Sequence, residues 1–392
     1  MVIEVPYRYR DDLGRDRLTV LRYKREVDPH TQHVHWALLP GAWGSVATAD
    51  EGRVLHLVAL GGGTGLPVVL RGLRPFAVPG PVSGNVRTPE LSNCRTCPGR
   101  VDLTAVVTMA DDGGSSGELR RQLGVLPPGD VRNCLLALAP EGAPLSAILG
   151  HRFASADGLG GHSLGNLFLA ASAQVRGDFV EAIALTGALL GAAGRVLPST
   201  QDPVGLVAEF EDGAVVAGES QIPARRGRIR RVRLAPPDVR PTPQVLDGIA
   251  SADLIVVGPG SLYTSLLPIL LVPGVAEAIR ASGAVRVLVA NLMTQPGETD
   301  GYDVADHLAA LQAHAGSNLF NVVLVNEASL REEVRARYAA EGAHPVVFDR
   351  ARLGPAAPAC VVDRLVAAGD LARHDPDRLA HALLATLGLR VS

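Results

Sequence analysis

Five consecutive residues, Gly61-Gly62-Gly63-Thr64-Gly65, follow the apolar run 54–60 and precede a helical pattern that opens at Leu66. A glycine loop between a strand and a helix leaves backbone N–H groups free and aims the positive end of the helix dipole at whatever lies before it, which suits a phosphate. The spacing fits neither familiar phosphate fingerprint. Leu66 breaks the G-x-G-x-x-G dinucleotide pattern, and no Gly-Lys-Ser/Thr follows to make a P-loop. A tight turn without a ligand is the plain alternative. If the loop does hold phosphate, valine at Gly63 is expected to obstruct it without unfolding the chain.

A second loop, Ala110-Asp111-Asp112-Gly113-Gly114-Ser115-Ser116-Gly117, follows the apolar run 103–109. Adjacent carboxylates there can accept the hydroxyls of a ribose or sugar, or hold a Mg²⁺ that bridges to phosphate, while the small residues allow close approach. Neighbouring residues leaving a strand point opposite ways, so one carboxylate is expected to face a ligand and the other to act as a cap. Pro128-Gly129-Asp130-Val131-Arg132-Asn133 offers Asp130 as an N-cap and Arg132 as a phosphate clamp, and Gly161-His162-Ser163-Leu164-Gly165-Asn166 opens another helix. Two later loops repeat the pattern after apolar runs: Gly258-Pro259-Gly260-Ser261-Leu262-Tyr263-Thr264-Ser265 and Asn291-Leu292-Met293-Thr294-Gln295-Pro296-Gly297-Glu298-Thr299. Ligands of open α/β sheets gather where strands end at a switch in strand order, so these loops can share one crevice. Gly62, Gly63, Asp111, Gly260 and Asn291 are expected to line it.

Other chemistry is thin. Asp306-His307 lies within a helical pattern that buries Val304, Leu308 and Leu311, so a structural histidine is expected. Cys94 and Cys97 supply half the ligands of a structural zinc site, with no second pair to complete it. Cys134 and Cys360 sit in apolar runs and are expected to be buried.

The elements that must position these loops read as an α/β domain over 54–392, Rossmann-like and doubly wound on a mainly parallel sheet. Apolar runs at 54–60, 103–109, 254–257, 285–290 and 322–325 carry little alternation, as strands buried on both faces do. Helical patterns fall at 131–138, 164–174, 178–190, 304–314, 330–340 and 377–387, and Glu211-Asp212-Gly213 turns a small β-hairpin. Residues 1–53 form an N-terminal extension with short strands near 18–23 and 33–36. The Pro/Gly-rich stretch 75–100, which carries Cys94 and Cys97, reads as a surface insertion.

The balance of 37 basic against 40 acidic residues leaves a net charge of −3, so any anion must be held locally and no nucleic-acid partner is expected. Four cysteines in 392 residues make no disulfide framework. The most apolar stretch, 254–279, is interrupted by Gly258, Pro259, Gly260, Pro268, Pro273 and Gly274, and the first 14 residues lack a secretory apolar run. A cytoplasmic protein without a membrane span is the expectation.

Taken together, the blocks within 58–66, 108–117, 128–133, 161–166, 258–265 and 293–299 resemble the YvcK family, also called the gluconeogenesis factors, within the superfamily of the 2-phospho-L-lactate transferase CofD. The resemblance runs from about Val54 to Arg373-His374-Asp375-Pro376. It implies a regulatory protein of cell shape and wall synthesis on gluconeogenic carbon sources that binds UDP-N-acetylglucosamine, with no required cofactor. By that similarity Gly62, Gly63, Thr64, Gly65, Asp111, Asp112, Ser115, Asn166, Gly260, Ser261, Asn291 and Thr294 become ligand candidates. Tyr338 and Arg373 join them as a base-stacking ring and a diphosphate clamp. Partners in wall synthesis and a homo-oligomer are compatible with the resemblance. The alternative is a phosphoryl or phospho-nucleotidyl transferase with Mg²⁺ on Asp111 and Asp112. The extension and the insertion depart from the family pattern.

Overall fold

The computed structural model describes residues 2–10, 16–27, 34–38, 45–46, 54–78, 101–154, 158–353 and 358–387. Cys94, Cys97 and most of the insertion lie outside them. In the extension, β1 (Val2–Arg10), β2 (Asp16–Val27), β3 (Val34–Leu38) and β4 (Ser45–Val46) form an antiparallel sheet centred on β2.

The main sheet has seven strands, all parallel: β5 (Leu55–Gly61), β6 (Val101–Val107), β7 (Arg195–Pro198), β11 (Leu254–Val257), β12 (Val285–Val289), β13 (Val322–Asn326) and β14 (Ala359–Asp363). A smaller antiparallel sheet, of β8 (Gly205–Phe210), β9 (Val215–Ala217) and β10 (Ile229–Ala235), includes the expected hairpin with Gly213 at φ +83°. The fold is Rossmann-like α/β. Leu57, Leu60, Leu103, Val106, Ile255, Val256, Val322 and Val323 are at most 2% exposed, which explains why these strands lack alternation.

Strand order is β14-β13-β12-β11-β5-β6-β7. The chain enters the sheet at β5, adds β6 and β7 on one side, then returns to build β11 to β14 on the other. Right-handed crossovers to opposite sides of β5 place the two sets of helices on opposite faces. The switch point therefore lies between β5 and β11, where the glycine loop and the 258–265 loop leave the sheet side by side.

Two edge strands, β7 and β14, were not among the apolar runs. The first is short and ends on Pro198; the second is half exposed at the sheet's margin, and its Cys360 is only partly buried, contrary to expectation. Cys134 is fully buried on the inner face of the helix Gly129–Leu138 to which it belongs. His307 is buried as expected, with its Nδ1 against the Asp303 carbonyl at 2.7 Å. Among the described residues no single helix is long and apolar enough to cross a membrane.

Candidate functional site

The glycine loop packs tightly into the switch point. A methyl group on Gly65 would lie 2.0 Å from the Pro259 carbonyl oxygen, and one on Gly62 would lie 2.7 Å from Thr108 and 2.8 Å from Asp130. Only glycine lets the three loops touch. Gly63 sits at φ +60° and donates its N–H to Asp130 Oδ2 at 2.6 Å. Two expectations change as a result. Asp130 is not an N-cap, since Pro128 holds that position; it is the acceptor that closes the glycine loop. Valine at Gly63 would meet a left-handed backbone that β-branched residues avoid, so it tests the turn as much as the ligand.

The 258–265 loop is fixed from its other side by Asn291. Its Oδ1 accepts the Gly260 N–H at 3.0 Å and its amide donates to the Gly260 carbonyl at 2.8 Å. Glu298 accepts from the Thr264 hydroxyl at 3.0 Å and from the Tyr263 N–H at 3.2 Å. Ser261 provides the carbonyl that receives the Ser265 and Leu266 N–H groups. Thr64 stands exposed at the start of the helix Gly65–Leu73 with no capping bond.

The adjacent aspartates do different work. Asp112 accepts from the Glu219 N–H at 3.0 Å and the Ser220 N–H at 2.9 Å, tying its loop to the segment before the helix Gln221–Arg225. Asp111 accepts from the Gly113 N–H at 3.0 Å through Oδ1, while its Oδ2 lies beside Gly129. Ser115 stands between His162 Nδ1 and the Asn166 amide, both at 2.9 Å, and Arg132 donates to Asn166 at 2.8 Å and to Ser163. Arg132 is thus locked into this polar network.

Carboxylates crowd this end of the sheet. Burial pushes Asp130 up to about 6 with Asp111 adding to it, Glu298 up to about 7, and Glu219 up to about 8 with Asp111, Asp112, Glu298 and Asp130 adding to it. For Glu219 the sign is fixed: a folded-state value above the unfolded one means stability is present in full below pH 4.5 and is lost as pH rises toward 8. Glu219→Gln is accordingly expected to raise the melting temperature at pH 8.5 by about 2–4 °C, the change that ~1 kcal/mol produces in a large domain, and by less at pH 5. Thermal unfolding of both proteins at the two pH values checks this; an equal shift at both would break the link to Glu219 ionisation.

Tyr338 and Arg373 are brought together. The Tyr338 hydroxyl accepts the Ala372 N–H at 3.3 Å, and His374, neutral because burial lowers it to about 4, is anchored to the Ala290 backbone at the end of β12. Arg71 completes this group, and the sequence reading missed it. A methyl group on the adjacent Gly72 would lie 2.0 Å from the Pro376 carbonyl oxygen, so the first helix abuts the segment carrying Arg373. Burial, with the charges of Arg373 and Arg74 adding to it, holds the Arg71 guanidinium below its ordinary value. Neither Arg71 nor Arg373 has an acidic partner among the described residues. Thr294 lies apart from these roles: its N–H and hydroxyl bond the His344 backbone at 2.7 and 2.9 Å, holding residues 343–346 against the 291–299 loop. Among the described residues no group of three His, Cys, Asp or Glu side chains could hold a metal ion.

The chain is similar to known proteins over most of its length. The family profile described as 2-phospho-L-lactate transferase CofD matches residues 57–365. A gluconeogenesis factor of Halalkalibacterium halodurans is 44% identical over 330 residues, covering 84% of this chain and 95% of the relative. The gluconeogenesis factor of Bacillus subtilis is 43% identical over 334 residues, covering 85% and 98%. A crystal structure of a Bacillus halodurans protein superposes with a TM-score of 0.77 at 43% identity, covering 85% of this chain and 99% of that one. The chain belongs to the CofD family, and within it to the gluconeogenesis factors of the YvcK type.

Proposed function

We propose that this protein is a cytoplasmic regulator that binds a nucleotide sugar, UDP-N-acetylglucosamine, in the crevice at the β5/β11 switch point, and reports the supply of that precursor to wall synthesis and cell shape. The observation that carries the reading is the approach of Arg71, on the helix that begins in the glycine loop, to Arg373 beside Tyr338. Two guanidinium groups held near each other without a carboxylate favour a diphosphate, and an adjacent ring favours a base. Hydroxyls of the ribose or sugar would fall to Asp111, Ser115 and Asn166. Titration calorimetry with UDP-N-acetylglucosamine, with and without Mg²⁺ and with turnover monitored, is the test. Saturable binding without product is expected; no binding in either condition would overturn the reading.

A Mg²⁺-dependent transferase is the second reading, favoured by the carboxylates around Asp111. Mg²⁺ would rest on Asp111 and ligand phosphate oxygens, since both Asp112 oxygens already accept backbone bonds. The two aspartates should separate on substitution. Asp111→Asn is expected to weaken the ligand by about 1.5–3 kcal/mol, the range for charged hydrogen bonds, with little change in stability. Asp112→Asn is expected to lower stability by about 1–2 kcal/mol, because an amide can replace only one of the two acceptors. Affinity and thermal unfolding of both variants check this, and equal affinities throughout would remove the loop from the site.

A further inference from the structure

Beside the crevice, and sharing Glu298 with its 258–265 loop, the molecule has a cavity of about 320 Å³ lined by Arg226, Gly227, Arg228, Glu298, Asp300 and Tyr302. It opens where the segment before β10 faces the loop after β12. Its size is that of a small-metabolite site. The chemistry of its walls is divided. Arg226 and Arg228 are exposed and make no ion pair or side-chain hydrogen bond among the described residues, whereas their neighbours Arg225 and Arg230 are paired with Asp212 and Glu209. Acceptors share the walls: Asp300, whose Oδ2 takes the Gly297 N–H at 2.7 Å, and the buried Glu298. The Tyr302 hydroxyl, 2.9 Å from that of Tyr263, adds a further polar group.

The backbone is also unusual here. Arg226 ends the helix Gln221–Arg225 at φ +49°, a left-handed conformation that glycine adopts without strain. The next residue is Gly227, so the strained position is filled by an arginine that lines the cavity. Strain of this kind gathers at ligand sites.

We propose that this cavity is a second binding site, for a sugar monophosphate: the phosphate on Arg226 and Arg228, the hydroxyls on Asp300, Glu298 and Tyr302. Cations alone would take any anion, but the carboxylates in the same walls would repel one that brings no hydroxyl donors. Inorganic phosphate is therefore the poorer ligand. Glu298 belongs to both places, since it lines the cavity and holds Thr264 and Tyr263 of the crevice loop. An occupant that bonds Glu298 thus touches the loop fixed by Asn291.

The test is calorimetry of the full chain with glucose 6-phosphate, inorganic phosphate and glucose. Saturable binding of glucose 6-phosphate is expected, at least about ten-fold tighter than inorganic phosphate, with glucose weaker than both. Arg226→Gly, which keeps the left-handed backbone, and Arg228→Ala should each weaken it on the order of ten-fold or more, the loss of one charged hydrogen bond. Asp300→Asn should weaken glucose 6-phosphate and leave or improve inorganic phosphate. Arg373→Ala should leave glucose 6-phosphate binding unchanged, which separates this site from the crevice. Absence of saturable binding, or unchanged affinity in both arginine variants at matched melting temperature, would overturn the proposal. Equal affinity for inorganic phosphate would overturn its sugar half, and loss of binding in Arg373→Ala would overturn a site distinct from the crevice.

Discussion

Gly65→Ala is expected to lower stability by about 3 kcal/mol or more, the upper range for overpacking, although alanine is the better helix former. The reason is the 2.0 Å separation between the added methyl and the Pro259 carbonyl oxygen. That oxygen belongs to backbone held between β11 and Asn291, so relief requires the 258–265 loop to leave Asn291 or the first helix to slide along the sheet. Either motion disturbs the switch point itself. The melting temperature should fall by about 6 °C or more. Gly283→Ala is the control: a methyl there has no atom within 4 Å, and the change should be near neutral. A Gly65→Ala protein that melts with the Gly283→Ala protein would mean that the loops do not pack as described.

What the sequence disclosed and what it hid divide along physical lines. Strands such as β5 and β6 are legible because burial on both faces makes them continuous apolar runs, and the helices between them show their periodicity. The loops at the strand ends are legible because glycine and aspartate next to a strand end have few other reasons to cluster. The unread parts depend on partners distant in sequence. Asp130 closes the glycine loop across 67 residues, and nothing local to Asp130 distinguishes that role from an N-cap. Arg71 looks like an ordinary surface residue on the first helix until the first turn of the helix Pro376–Thr386 is laid against Gly72. Glu219 follows an exposed hairpin and becomes unusual only where burial, with four other carboxylates adding to it, acts on its side chain. The edge strands β7 and β14 escaped because a margin strand needs neither length nor an unbroken apolar run.

Removing either guanidinium of the Arg71 and Arg373 pair is expected to weaken UDP-N-acetylglucosamine by about ten-fold to 150-fold, which is ~1.5–3 kcal/mol for a charge-assisted bond to phosphate. Stability should not fall with it. The two cations repel each other in the free protein and neither has an acidic partner, so Arg71→Ala or Arg373→Ala relieves like-charge repulsion and should leave the melting temperature unchanged or slightly raised. Opposite signs in binding and stability mark a ligand clamp, whereas a structural arginine would lose both. Lysine should restore only part of the affinity, because an ammonium lacks the planar fork that grips two phosphate oxygens. Tyr338 supplies an internal comparison. Tyr338→Phe loses the hydroxyl that receives the Ala372 N–H but keeps the ring, so it should bind better than Tyr338→Ala if stacking on the base is the ring's role. Calorimetry and thermal unfolding on this set, at two salt concentrations, give the answer: parent-like affinity in both arginine variants would remove the diphosphate from this cluster, and the crevice would have to hold its ligand by the glycine loop and Asp111 alone.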